Sequence, residues 1–149
     1  MENATKKTES INFYFIIAAV IVSGLLIIAL PFIELPWGIE RDPGDIGYIY
    51  SFVTLIGPGG SLLFRLCGIF ALVFLSLGFA LAASLLVLSL LNKGSLVAKK
   101  LLSCSSTIFF GVSCVFFGLI GHFYIPLLPA VLMGLATFLP ERKKERTQE

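Results

Sequence analysis

The sequence predicts an all-α integral membrane protein: four transmembrane helices in a compact bundle, both termini on the inner side, with an interfacial segment in the first outer loop. Three observations carry that reading. Of the 149 residues, 57% are hydrophobic and only 13% charged, whereas a soluble domain carries about 25% charged residues. Mean hydropathy is +0.96. The missing charge is also concentrated: residues 10–33, 66–92 and 101–140 hold no Asp, Glu, Lys or Arg, in runs of 24, 27 and 40 residues. A water-facing helix keeps a polar face, and these runs have none. A soluble enzyme, a disordered chain and a nucleic-acid-binding domain are excluded on this ground.

A helix needs about 20 mostly apolar residues to cross a bilayer core about 30 Å thick. The first run supplies one span near 11–33 and the second one near 63–91. The third is too long for a single crossing and suits two. Its break falls at Gly121-His122-Phe123-Tyr124-Ile125-Pro126, because Gly favours a helix C-terminus and Pro the first turn of the next helix. Spans near 99–120 and 124–139 follow, the last being the shortest. Lys6 and Lys7 before the first span suggest a signal peptide. The apolar stretch exceeds the usual 7–15 residues and no Ala-x-Ala site follows, so the segment reads as a retained anchor.

Orientation follows from the basic residues. With the N-terminus inside, nine of them (Lys6, Lys7, Lys93, Lys99, Lys100, Arg142, Lys143, Lys144 and Arg146) lie on the cytoplasmic side, and two, Arg41 and Arg65, on the other. The positive-inside rule then gives N-in, C-in. Trp37, Tyr48, Tyr50, Phe123 and Tyr124 gather at the outer boundary, and Phe13 and Tyr14 at the inner one, where amphipathic rings prefer to sit. Three unpaired cysteines and compact loops fit a prokaryotic plasma membrane.

The outer loop 34–62 is the one long connection. Asp42 can cap a helix with Pro43 at its first position and Asp45 in its first turn. A helix over 43–56 is too short to cross and is expected to lie in the interface, Tyr48 and Phe52 sharing a face. The alternative is a strand, because Tyr48, Tyr50 and Phe52 alternate with Ile49, Ser51 and Val53.

Candidate chemistry is sparse. Ion-coupled transport needs a charged group within the membrane, and the acid that four-helix multidrug exporters keep in their first helix is absent from 11–33. Arg65 opens the second span, either as a snorkelling side chain or paired with Glu34, Asp42 or Asp45. His122 is the single histidine; alone it supplies neither a bis-His haem nor a metal site, and a polar residue in a short turn is the simpler account. Cys104 and Cys114 are roughly 80° out of line and about 15 Å apart along a helix, so no disulfide joins them there. With Cys67 they read as small packing residues, Cys104 also being an acylation candidate. Glu34, Glu40, Asp42 and Asp45 lack the spacing of a calcium loop and read as caps and solvated charge. No catalytic residue, cofactor or metal ligand is assigned. The basic tail from residue 141 is a topology anchor that meets anionic lipid, not a nucleic-acid site.

Small residues recur at helical spacing: Ala19 and Ser23; Ser76, Ala80 and Ser84, with Gly78 and Ala82; Thr107, Gly111 and Gly118; Ala130 and Gly134. Such faces let helix backbones approach closely in lipid. They either close the protein's own bundle or meet a partner.

The layout of four spans, inner termini and a long first outer loop with Pro36-Trp37 near its start and Arg65 after it resembles the claudin-like tetraspans. The two loop cysteines that staple the outer sheet of that family are absent, so the resemblance is one of topology. The expectation for function is a small non-catalytic multi-pass protein, an accessory or structural subunit packing against other membrane proteins or itself. The alternative is a small channel, transporter or lipid-handling protein gated by the 43–60 segment.

Overall fold

The structure is a computed structural model that describes residues 2–30, 32, 34–36, 49–51, 62–91 and 93–138, with backbone alone for 2–11, the two strands and Phe64. Among the described residues there are four helices: α1 (Glu2–Ala29), α2 (Leu62–Leu90), α3 (Leu96–Leu119) and α4 (Tyr124–Phe138). Three of them are long and apolar enough to cross a membrane, through Asn12–Ala29, Arg65–Leu90 and Leu96–Leu119. Helix α4 has 15 residues, or about 22 Å of rise, less than one hydrocarbon core.

Three of the helices stop for reasons visible in the chain. Pro31 has no amide hydrogen to continue α1, and the end tightens instead, with the Phe32 N–H on the Ala29 carbonyl at 2.9 Å. The α2–α3 connection turns at Gly94, whose φ is +87°. Ser95 then caps α3 by accepting the Ala98 N–H at 3.2 Å, which starts that helix three residues before the expected Lys99. The expected break at Gly121 is present. Gly121 has φ +88°, its N–H meets the Gly118 carbonyl at 3.0 Å, and the His122 N–H meets the Phe117 carbonyl at 2.8 Å. That pair of bonds is the Schellman closure of a helix C-terminus. Pro126 follows in the first turn of α4, and Pro129 lies inside that helix.

The four helices pack as a ring. The broadest contact is between α2 and α3, and contacts of α3 with α4, α4 with α1 and α1 with α2, in decreasing extent, close the ring. The buried positions recur at alternating steps of three and four. On α2 they are Ala71, Leu75, Gly78, Ala82 and Leu85; on α3, Ser103, Ser106, Phe110, Ser113 and Phe117, with Ile120 at its cap; on α1, Asn12, Ile16, Ala19 and Ser23. This is the seam spacing of left-handed helix packing. Phe110, Phe117, Leu75 and Met133 fill the centre with no exposure. The outer surface is apolar: Leu25, Ile108, Val115 and Leu119 are all more than half exposed.

Two short strands, β1 (Glu34–Pro36) and β2 (Ile49–Ser51), pair antiparallel with Leu35 opposite Tyr50. The helix expected over 43–56 is therefore not formed at Ile49–Ser51. Aromatic and β-branched residues in alternation fit a pleated ladder, and Pro36 is tolerated because both strands are edges. The rest of that segment, including Asp42 and Asp45, lies outside the described residues.

Candidate functional site

In a helix as apolar as these, polar atoms are the costly ones, and a candidate site is sought where they converge. Those of α3 converge on its neighbours. The Ser106 hydroxyl donates to the Gly78 carbonyl at 2.8 Å, and the Ser113 hydroxyl to the Ala71 carbonyl at 2.9 Å. Both donors are fully buried and reach the backbone of α2. Gly78 makes that approach possible: a Cβ there would stand 2.9 Å from the Phe110 ring. Outside this seam Phe74 stacks on Phe109 and Phe116, with centroids 5.8 and 5.7 Å apart, and Phe70 lies against Phe116 at 5.5 Å.

A second polar cluster joins α3 to α4. Thr137 is 2.7 Å from the Ser103 hydroxyl and 3.0 Å from that of Thr107. Thr137 also donates to Met133 O at 2.8 Å, and Thr107 to Ser103 O at 2.9 Å. Every member can satisfy its hydrogen within the cluster, so the arrangement holds the helices in register. None of its groups is an acid or a base at neutral pH. Beside it, Val131, Gly134, Leu135 and Phe138 line an open apolar groove of about 360 Å³ on the outer face of α4.

The residues singled out in the sequence are scattered. His122 is buried in the α3–α4 turn, its Nδ1 joined to the Tyr124 hydroxyl by a 2.8 Å hydrogen bond and its ring edge-on to that tyrosine. Arg65 is half-buried in the first turn of α2. Glu34 begins β1. Ala19 and Ser23 are fully buried in the bundle, and Ser23 bonds its own helix at the Ala19 carbonyl, 2.6 Å away. Ser76 is half-buried, while Ala80 and Ser84 are exposed and face away from the seam that holds Gly78 and Ala82. Gly111 has open space where a side chain would stand, and exposed Gly118 lies 3.6 Å from Phe123 by the same measure. Ala130 packs against the core. Gly134 approaches Thr107, its Cβ position 3.9 Å from the threonine methyl.

Cys67, Cys104 and Cys114 are free thiols, Cys67 buried and the others half-buried. Among the described residues no three His, Cys, Asp or Glu side chains gather as a metal-binding group. The residues that sequence reasoning missed are Ser103, Ser106 and Ser113. Their signal was their phase: with Phe110 and Phe117 they recur on one face of an apolar helix, and in lipid the polar face turns inward.

These contacts define a helical bundle with three helices of membrane-crossing length and polar groups used for helix pairing. Comparison with protein-family models, curated proteins and solved structures gives no match for this chain.

Proposed function

We propose that this is a small non-catalytic, multi-pass membrane protein acting as an accessory or structural subunit, packed against other membrane proteins or against a second copy. The observation that carries the reading is where the polar atoms go. The buried hydroxyls of α3 bond to α2 and α4, and the outward faces are apolar. Such a surface suits lipid or another helical protein and offers nothing to a polar substrate. The Ser76–Ala80–Ser84 stripe of α2, half-buried at Ser76 and exposed at Ala80 and Ser84, is consistent with close approach by a further helix.

In this reading all four helices insert, with both termini on the cytoplasmic side as the basic residues require, in a prokaryotic plasma membrane. The short α4 is accommodated by local thinning or by its neighbours. A conduit through one copy is disfavoured by the filled centre, where Phe110, Phe117, Leu75 and Met133 leave no exposed surface.

Native mass spectrometry on the tagged protein, extracted from its host in mild detergent, tests the proposal. Reproducible co-purification of defined subunits, or a stable homo-oligomer, is the expected outcome. A lone monomer, with all membrane complexes intact after its deletion, overturns it.

A further inference from the structure

We infer that the tip of the α2–α3 hairpin is a docking surface for a partner protein, received by a segment with an apolar centre and an acidic rim. This surface rests on the membrane and accessory-subunit readings above and names where the partner is met. The bonds of Ser106 to Gly78 and of Ser113 to Ala71 fix the antiparallel register of the two helices. Each step toward the start of α3 is matched by one toward the end of α2, which brings Lys99 level with Leu85 and Leu119 level with Arg65. From Arg65 to Leu85 α2 rises about 30 Å, the thickness of one hydrocarbon core. Arg65 and Lys99 therefore bracket the bilayer, and the hairpin beyond Lys99 lies outside it.

Helix α2 nevertheless continues to Leu90, and α3 begins at Leu96, so the hairpin runs about 7 Å past that boundary. Its tip is apolar: Leu90, Leu91, Leu96 and Val97 are all more than half exposed. It is also pre-formed. The Lys93 N–H meets the Leu88 carbonyl at 3.0 Å, the Lys99 N–H meets the Ser95 carbonyl at 3.1 Å, and Ser95 caps α3. An apolar patch held rigid outside the hydrocarbon is an interaction site that loses little freedom on binding. Around it stand Lys93 and Lys100, exposed, and Lys99, half-buried. The chain holds no Asp or Glu from Ile46 to Pro140. That combination selects the occupant. A second copy in the same membrane brings like charges to the same level. Lipid headgroups answer the lysines but not the four apolar side chains. A protein segment with apolar centre and acidic rim answers both.

Two measurements separate the surface from the readings beneath it. First, Leu96→Cys and Ile108→Cys, both exposed positions, are purified and placed in liposomes with a charged maleimide on both sides of the bilayer. Adducts are located by peptide mass, so the native cysteines stay. Labelling at Leu96→Cys and not at Ile108→Cys is expected. Labelling at Ile108→Cys overturns the membrane reading itself, and labelling at neither puts the tip in lipid and overturns the docking surface alone. Second, a photo-reactive benzoylphenylalanine replaces Val97 in native membranes. The expected product is an adduct to a protein segment that contains Asp or Glu. Lys93→Glu with Lys100→Glu is expected to lower its yield by about ten-fold or more, and Lys in place of the mapped acids to restore it. Should charge reversal change the maleimide pattern, Lys93→Gln with Lys100→Gln replaces it, with a loss of about three-fold expected. No adduct, an adduct to lipid or to a second copy, a mapped segment without acids, or a yield unmoved by the lysine variants each overturns the docking surface.

Discussion

Serine occupies the buried seam of α1 and of α3, and the two helices use it differently. Ser23 of α1 closes onto its own helix at Ala19 O. Ser106 and Ser113 of α3 reach across to the backbone of α2. The residue type and the seam position are alike; the neighbour differs. Gly78 and Ala71 let the α2 backbone come within hydroxyl reach of α3, whereas Gly24 of α1 faces the Phe79 ring, which a Cβ would meet at 3.3 Å. At these three positions serine bonds to the neighbouring backbone where a small residue opposite exposes a carbonyl, and otherwise folds back on the preceding turn.

The strongest way to break this contrast is to close the gap. Gly78→Val places atoms inside the Phe110 ring, which is itself fully buried and cannot swing away. Overpacking of this kind costs about 1–3 kcal/mol, and the upper part of that range is expected in reversible unfolding from detergent micelles. A change of opposite sign is expected in α1. Asn12 is buried there, and its Oδ1 has no hydrogen-bond partner. An unsatisfied buried polar group costs about 1 kcal/mol or more, so Asn12→Leu should raise stability in the same assay; a loss would show that the amide is needed. The smallest effect sharpens the comparison most directly. Ser106→Ala and Ser113→Ala should each cost about 0.6 kcal/mol, the average for hydrogen bonds between membrane helices. Ser23→Ala should cost measurably less, because only a bond within one helix is lost. Equal costs at all three positions would remove the distinction.

Much of the architecture was legible in the residues, because it rests on local chemistry. Charge-free runs marked the helices, and Gly121 followed by Pro126 marked the turn. The first outer segment was harder. Its residue pattern fits both periods, and pairing with Glu34–Pro36 decides for the strand at Ile49–Ser51. The inward face of α2 was only partly legible. Small residues form two stripes on that helix, with Gly78 and Ala82 about 200° round from Ala80 and Ser84. Size alone does not choose between them. The choice comes from the neighbour, since Ser106 needs a carbonyl and Phe110 needs a residue without a side chain. The phase of α3 carries that choice, because Ser103, Ser106 and Ser113 share one face with Phe110 and Phe117.

The turn that holds Gly121 has a consequence for how the chain is built. Between the end of α3 and the start of α4 lie four residues, Ile120 to Phe123, and three of them are fixed by backbone bonds to the preceding turn. No slack is left for α4 to travel away from α3. On the proposed membrane reading, the two helices insert as one hairpin, and Lys99 and Lys100 at the base of one arm orient both. On that reading the second arm, which contains no charged residue of its own, needs no sorting signal because it is carried by the first.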